Sequence, residues 1–402
     1  MIFIYILTGL TLLYALVAFL FFVGLHLLKK GRNEEQHSVS VVIAARNEED
    51  NISRILQDLT QQTYPKDKYQ VIVANDCSQD GTGAIIDEFC AKFPFIKHIF
   101  IEKIPDGFSP KKYVLDVALQ HAQNDIILTT DADCRVGSRW IETMVSYFEP
   151  DVGFVVGFSQ FGKSYEKRTL LEKLQAFDFM QLMGAAAGSA NLKFPLAASG
   201  QNLGYLKKAY NKVGGYKKVA HRVSGDDVLL LQLVRKFTKY KVVFASSHTS
   251  FAISEPQPTF MSLIHQRLRW ASNGSYQLKL NVLFFAYLVL VFLISLVSLV
   301  ALFIALFAKI YVEFILLALF IKVISELMIA VRAAQVFNRM DLMKYFPIWI
   351  LVQMPYIVFM GILGSLGNFN WKGREHSAKM VNKSSGKISD FIHKIEDLFW
   401  KS

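Results

Sequence analysis

A short apolar run, Ile126 to Thr130, ends in two carboxylates two residues apart, Asp131 and Asp133. Alternate side chains of an extended chain share a side, so both acids point the same way. Paired hard oxygen donors suit Mg²⁺ or Mn²⁺, with substrate phosphates completing the shell. A solvated turn has the same pattern. Other reactive groups also follow apolar runs: Arg46, Asn47 and Glu48 after Val39–Ala44, and Asp76 and Asp80 after Tyr69–Ala74. Each acid alone is an ordinary turn former. Several acids at strand ends favour a nucleotide site.

Downstream, Gly225-Asp226-Asp227 enters an apolar helix. Two readings fit the acids. They are N-terminal charges that complement the helix dipole, or one is a general base tuned by burial and its neighbour. Gln266 and Arg269 lie one helical turn apart, with Trp270 next. Such a turn hydrogen-bonds a phosphate and stacks a sugar. It equally describes a membrane-surface helix with a snorkelling Arg and an interfacial Trp.

Gly157 to Ser164 fits the phosphate-cradling pattern G-x-x-x-x-G-K-S after a β-run. It sits late in the α/β region, carries two Phe, and lacks a later strand ending in Asp. A P-loop ATPase or GTPase is therefore the weaker reading, and the acids argue against a catalytically silent scaffold.

The elements that must position these groups alternate. Strands are expected at Val39–Ala44, Tyr69–Ala74, Ile96–Ile101 and Asp125–Thr130. Helical spacing appears at Ile52, Ile55, Leu56 and Leu59, and at Leu115, Ala118, Leu119 and Ala122. This is an α/β pattern with a mostly parallel sheet, and functional groups collect at its strand carboxyl ends. Thr169–Met183 reads as an amphipathic helix, followed by a flexible glycine-alanine run, Gly184–Gly188. Gly200-Gln201-Asn202 precedes a Lys-rich helix.

The chain has 402 residues, 52% hydrophobic, with a formal charge of +11 and mean hydropathy +0.30. That favours partial membrane embedding over nucleic-acid binding, because the basic residues flank apolar segments. Cys77, Cys90 and Cys134 have no CxxC spacing and read as reduced thiols. Ile2–Leu28 is an anchor whose flank, Lys29, Lys30 and Arg32, places the next domain in the cytoplasm. Val282–Ala308 and Ile310–Val331 can span, the latter carrying Lys322 and Glu326 on one face. Those two either neutralise each other or line an acceptor path. Phe346–Leu366 is interrupted by Pro347 and Pro355. Four full spans would leave the basic tail outside, so this segment is expected to be re-entrant or interfacial. The expected divisions are an anchor at 1–30, a catalytic domain at 38–275, a membrane domain at 280–367, and a basic tail at 371–402 with an interfacial helix.

In order, Val39–Glu48, Asn75-Asp76 with Asp80-Gly81-Thr82, Lys111-Lys112, Asp131-Ala132-Asp133, Gly200-Gln201-Asn202, Gly225–Leu230, Gln266–Trp270 and Trp371–Arg374 resemble the membrane-integrated family 2 glycosyltransferases. That group includes chitin, cellulose and hyaluronan synthases and ceramide glucosyltransferases. The resemblance implies a GT-A fold, a UDP-sugar donor, a divalent cation, and inversion at the anomeric carbon. It implies that Ala45, Asn47, Glu48 and Asp76 border the nucleoside. Asp131 would lie on the ribose or metal side and Asp133 would ligate the metal. Asp227 would act as base, with Asp226 beside it, and Gln266, Arg269 and Trp270 would close over diphosphate and acceptor. Two departures stand out: Asp226 replaces the usual Glu, and Ala44 the usual Pro. The membrane part is small, which favours a lipid or lipid-linked acceptor over a processive polysaccharide product.

Overall fold

A computed structural model describes residues 1–163 and 166–366, and the backbone of strands Asn368–Trp371 and Arg374–Ser377. The interfacial helix expected in the tail lies outside the described residues. In chain order the first half runs α1 (Ile2–His26), β1 (Val39–Ala45), α2 (Ile52–Thr60), β2 (Tyr69–Asp76), α3 (Thr82–Lys92), β3 (Ile96–Ile101), α4 (Pro110–His121), β4 (Ile126–Thr129), β5 (Arg135–Val136), α5 (Trp140–Val145), β6 (Val152–Gly157) and β7 (Ser159–Phe161). The second half runs α6 (Leu170–Asn191), β8 (Leu203–Leu206), α7 (Lys207–Val213), α8 (Val228–Phe237), β9 (Lys241–Ala245), β10 (Ala252–Ser254), α9 (Phe260–Ala271), α10 (Gln277–Leu280), α11 (Val282–Phe303), α12 (Val312–Val336) and α13 (Phe346–Leu366).

The main sheet has the order β3-β2-β1-β4-β8-β6-β9. The first four strands are parallel, and β8 inserts antiparallel between β4 and β6. Both faces are covered, so β1 and β2 read as continuous apolar runs rather than alternating ones. Val39, Val41 and Ile43 pack on the α2 and α3 side, and Val42 on the α4 and α6 side. Sequence reading missed β8, a strand of four residues including Gly204. A second sheet orders β5-β10-β7. Its strand β7 runs through the P-loop-like stretch, and the next helix begins only at Leu170. The cradle that a P-loop needs, a loop opening directly into a helix, does not form there.

Gly184–Gly188 is not flexible: it is the interior of α6. A Cβ on Gly188 would lie 2.4 Å from the Phe21 carbonyl oxygen, and one on Gly184 would lie 2.8 Å from Cβ of Ala333. The glycines let α6 approach the backbones of α1 and α12, and that packing fixes a segment whose composition alone suggests mobility.

Four stretches are long and apolar enough to cross a membrane: Ile2–His26, Val282–Ala308, Val312–Val336 and Met340–Gly364. The last is not broken by proline, since α13 is continuous through Pro355. Lys322 Nζ donates to Glu326 Oε1 at 2.6 Å, and Tyr14 Oη donates to the same oxygen at 3.1 Å. Gln353 Nε2 donates to Oε2. Lys322 and Glu326 are both buried and satisfied by groups from α1, α12 and α13. This is the mutual neutralisation of the two readings.

Candidate active site

The carboxyl ends of β1, β2 and β4 open onto a cavity of about 420 Å³. Ala45, Arg46 and Glu48 line it from β1, Asp76 from β2, and Asp131, Ala132 and Asp133 from beyond β4. Opposite them stand Ser262, His265, Gln266 and Arg269 of α9, with Lys111, Gln201 and Gln257.

Arg46 Nη1 donates to the carbonyl of Asp76 at 3.0 Å and stands 3.6 Å from its carboxylate. This ties β1 to β2 at the cavity edge. Glu48 accepts from Asn51 Nδ2 at 3.0 Å. Asn47 does not line the cavity. It takes a positive φ of 50° and accepts from Gln79 N at 3.0 Å, so it shapes the 75–80 turn. Asp80 caps that turn, accepting from Thr82 N at 3.1 Å and Glu49 N at 3.2 Å.

The first turn of α4 carries Lys111 and Lys112, two cations where the helix dipole favours anions. Tertiary partners outweigh the dipole. Lys111 Nζ lies 2.8 Å from Asp131 Oδ1 and 3.0 Å from Asp226 Oδ2. Burial works to lower its pKa, but the two acids hold it above the usual lysine range. Lys112 is fully buried and donates to the carbonyls of Arg222 and Ser224, at 2.8 Å for the latter. Burial pulls its pKa down to about 7. Lys112 thereby fixes the stretch of chain that delivers Gly225, whose φ of 83° favours glycine.

Asp226 and Asp227 lie just behind the lining. Asp227 caps α8, accepting from Val228 N at 2.6 Å, and its Oδ2 accepts from Gly200 N at 2.9 Å. Burial and the adjacent Asp226 push its carboxyl up to about 6. Burial also works to raise Asp226, but Lys111 and Lys112 outweigh it and hold that group low. Two neighbouring acids are thus driven apart in pKa, as in acid–base sites that keep one base near neutrality.

On α9, Gln266 and Arg269 face the cavity, while Arg267 and Trp270 share the next face round. Arg267 Nη2 pairs with Asp178 Oδ2 of α6 at 2.7 Å, both deeply buried. The Arg267 guanidinium lies 4.3 Å from the Trp270 ring centre, and Trp270 packs on Phe179 at 5.8 Å. Trp270 therefore docks α9 on α6 and does not line the cavity, unlike the expected sugar-stacking position. Gln175 of α6 grips the backbone of Gln257 at 2.9 Å in both directions.

Seven of the expected residues come together on one lining: Ala45, Glu48, Asp76, Asp131, Asp133, Gln266 and Arg269. Asn47, Asp226, Asp227 and Trp270 sit one layer out. Lys111, Gln201, Gln257, Ser262 and His265 were not assigned roles from sequence. The misplaced-looking lysines at a helix start were a usable signal for Lys111. Gln257, Ser262 and His265 had none, because only the docking of α9 brings them to the strand ends. Among the described residues no group of three or more His, Cys, Asp or Glu gathers as a metal cage. Two carboxylates on an open cavity fit a cation that a diphosphate shares, which takes one or two protein carboxylates and completes its shell elsewhere.

A GT-A α/β domain with acids at its strand ends, joined to apolar helices, defines a glycosyltransferase of the family 2 type. The chain belongs to glycosyl transferase family 21, whose model matches residues 6–382. It is 30% identical over 251 residues to a probable glycosyltransferase of Bacillus subtilis, covering 60% of this chain and 56% of that one. It is 28% identical over 254 residues to a beta-monoglucosyldiacylglycerol synthase of Synechocystis, covering 60% and 49%. It is 24% identical over 250 residues to a poly-beta-1,6-N-acetyl-D-glucosamine synthase of Staphylococcus epidermidis, covering 62% and 57%. The chain thus spans about half the length of the curated relatives it matches. Its fold resembles a mannosyltransferase from Pyrobaculum calidifontis solved with GDP-Man and Mn²⁺, at TM-score 0.60 and 16% identity, covering 90% of this chain and 98% of that one.

Proposed function

We propose that the protein transfers a sugar from a UDP-sugar to a lipid or lipid-linked acceptor at the cytoplasmic membrane face, with inversion at the anomeric carbon. One observation carries the acceptor class. The helix that presents Gln266 and Arg269 to the cavity packs its other face, Ile264 and Leu268, on Met360 of the apolar helix α13. An acceptor hydroxyl tethered to lipid would reach the cavity without leaving the membrane border.

In this reading Asp227, ionised above about pH 6, takes the acceptor hydroxyl's proton. The freed oxygen pair attacks the anomeric carbon, and the bond to the diphosphate breaks with its electrons leaving on UDP. Arg269 faces that developing charge. A single base with no enzyme nucleophile gives inversion. Ala45, Glu48 and Asp76 border the nucleoside, Asn47 shaping their loop. Asp131 and Asp133 would hold Mg²⁺ or Mn²⁺, which when bound neutralises the leaving diphosphate. Of the two, Asp133 would be the metal ligand, and Asp131, paired with Lys111, would lie on the ribose or metal side.

The Staphylococcus epidermidis relative supports a second reading, a processive polysaccharide synthase with the same donor chemistry. The test is UDP release by purified full-length protein from a panel of UDP-sugars, with Mg²⁺, Mn²⁺ or EDTA, with added lipid extract, and with Asp227→Asn beside wild type. Lipid-stimulated, EDTA-sensitive release lost in Asp227→Asn is the expected result. A product of one or two sugars favours the first reading and a long polymer the second. No release from any UDP-sugar would sink both.

A further inference from the structure

Helix α13 has the hydropathy of a membrane span and touches two spans, Gln353 donating to Glu326 of α12 and Gly361 lying against Phe292 of α11, yet both its ends also pack on the catalytic domain. At its start Phe346 and Trp349 pack on Phe177 of α6, with ring centres 6.2 and 6.3 Å apart. Further along, Met360 packs on Ile264 and Leu268 of α9. Near its end a Cβ on Gly364 would stand 2.3 Å from Cβ of Ala271, the last residue of α9. Helices α6 and α9 belong to the catalytic domain and are joined by Arg267 and Asp178. Helix α6 also marks the membrane border, since it meets α1 at Gly24 and α12 at Ala333, both within the last turn of those spans.

A helix crossing the hydrocarbon must carry one end about 30 Å from the border it starts at. Both ends of α13 touch the catalytic domain instead. At the far end of the spans, Ile4, Leu7, Ala301, Ile315 and Ala318 of α1, α11 and α12 close a separate apolar cluster that contains no residue of α13. The face of α13 turned from the protein is apolar along its length. Ile348 (39% exposed), Leu351 (75%), Val352 (43%), Phe359 (36%) and Ile362 (49%) recur at helical spacing. Helices α1 and α11 likewise expose apolar residues, among them Leu12, Leu16, Val289 and Leu293.

We infer that α13 does not cross the membrane: it lies in the leaflet next to the catalytic domain, with its exposed stripe on the acyl chains of that leaflet. Three helices then cross, and the basic tail returns to the catalytic side. This resolves the conflict between four apolar segments and a tail carrying Lys379, Lys383, Lys387 and Lys394, which favours the positive side. It also makes α13 the floor on which α9 rests, independent of which sugar is transferred.

The test places epitope tags singly in full-length protein, after Ser402, in the exposed turn at Asp106–Gly107, and in the turn at Lys309–Ile310, and reads antibody access in sealed and opened vesicles. The tag after 402 is expected to share the side of the 106–107 tag and to oppose the 309–310 tag. Finding it with the 309–310 tag overturns the inference. Spin labels on single cysteines at 348, 355 and 362, in protein lacking the native cysteines, give a second measure. Both end labels are expected at matching shallow depth. A steady increase in depth from 348 to 362, returning at no point, overturns it as well.

Discussion

The ammonium of Lys111 stands 2.8 Å from Oδ1 of Asp131, joining the first turn of α4 to the acids beyond β4. The same nitrogen reaches Asp226 at 3.0 Å, so one cation couples the donor-side acid to the buried acid pair. Replacing Lys111 by Met removes the cation that both acids share. A stability loss of about 3 kcal/mol is expected, the low end for a broken buried pair because the cavity admits water. Thermal unfolding in detergent checks it.

The pH profile of kcat/KM tests the acid pair. Asp227 has its carboxyl raised, so the ionised base is present above about pH 6 and activity falls as pH drops through that value. Asp226→Asn removes the like charge and is expected to move this limb to lower pH. Lys111→Met removes a stabilising cation and is expected to move it to higher pH. Limbs that shift together, or not at all, would remove Asp227 from the base role. Asp227→Asn itself should lower kcat by about 10²- to 10⁴-fold while UDP still binds.

Asp133→Ala is expected to abolish both turnover and Mn²⁺-dependent tightening of UDP binding, read by calorimetry with and without EDTA. Lys163→Ala, in the stretch that mimics a P-loop, should leave both at wild-type values. The opposite pattern would mean that phosphate is held at the β7 end of the domain.

Asp178→Asn tests whether α6 sets the pitch of α9. The buried Arg267 would lose its charged partner, and Arg269, two residues on, would lose its aim. UDP affinity should fall towards that of UMP, with UMP binding unchanged, because only the diphosphate contact is misplaced. If the single variant fails to fold, Asp178→Asn with Arg267→Met removes both charges together and the same ratio is read. A folded variant with the wild-type ratio would show that α6 only supports the fold.

The Lys322–Glu326 pair predicts non-additive costs in single and double variants. Glu326→Gln leaves Lys322 without its counter-charge and is expected to cost about 3–5 kcal/mol, whereas Lys322→Met with Glu326→Met costs much less. Full activity in the double variant would confine the pair to packing. Loss of activity at preserved stability would restore the acceptor-path reading.

Much of the fold was legible in the chain because its signals are local. The strands at Val39–Ala45 and Tyr69–Asp76 hold the apolar runs Val41–Ala45 and Val71–Ala74, and covering both faces of a sheet produces such runs. The acids at 76, 131 and 133 end strands, and strand ends in such a sheet converge. The spans declare themselves by length and apolarity.

What the chain could not disclose depends on which faces meet. Gln266 and Trp270 sit on one helix, but only docking on α6 decides that the first faces a cavity and the second faces Phe179. Gly184 and Gly188 read as slack until α1 and α12 close on them. Pro355 reads as a break, yet α13 runs through it with the catalytic helices packed along its length. Sequence by itself determined most of the elements, the apolar helices and the acids at the strand ends, because periodicity and charge are properties of neighbours along the chain. The tertiary structure alone decided how Lys111 is shared and why Asp227 is raised, because burial and pairing act between residues far apart in sequence.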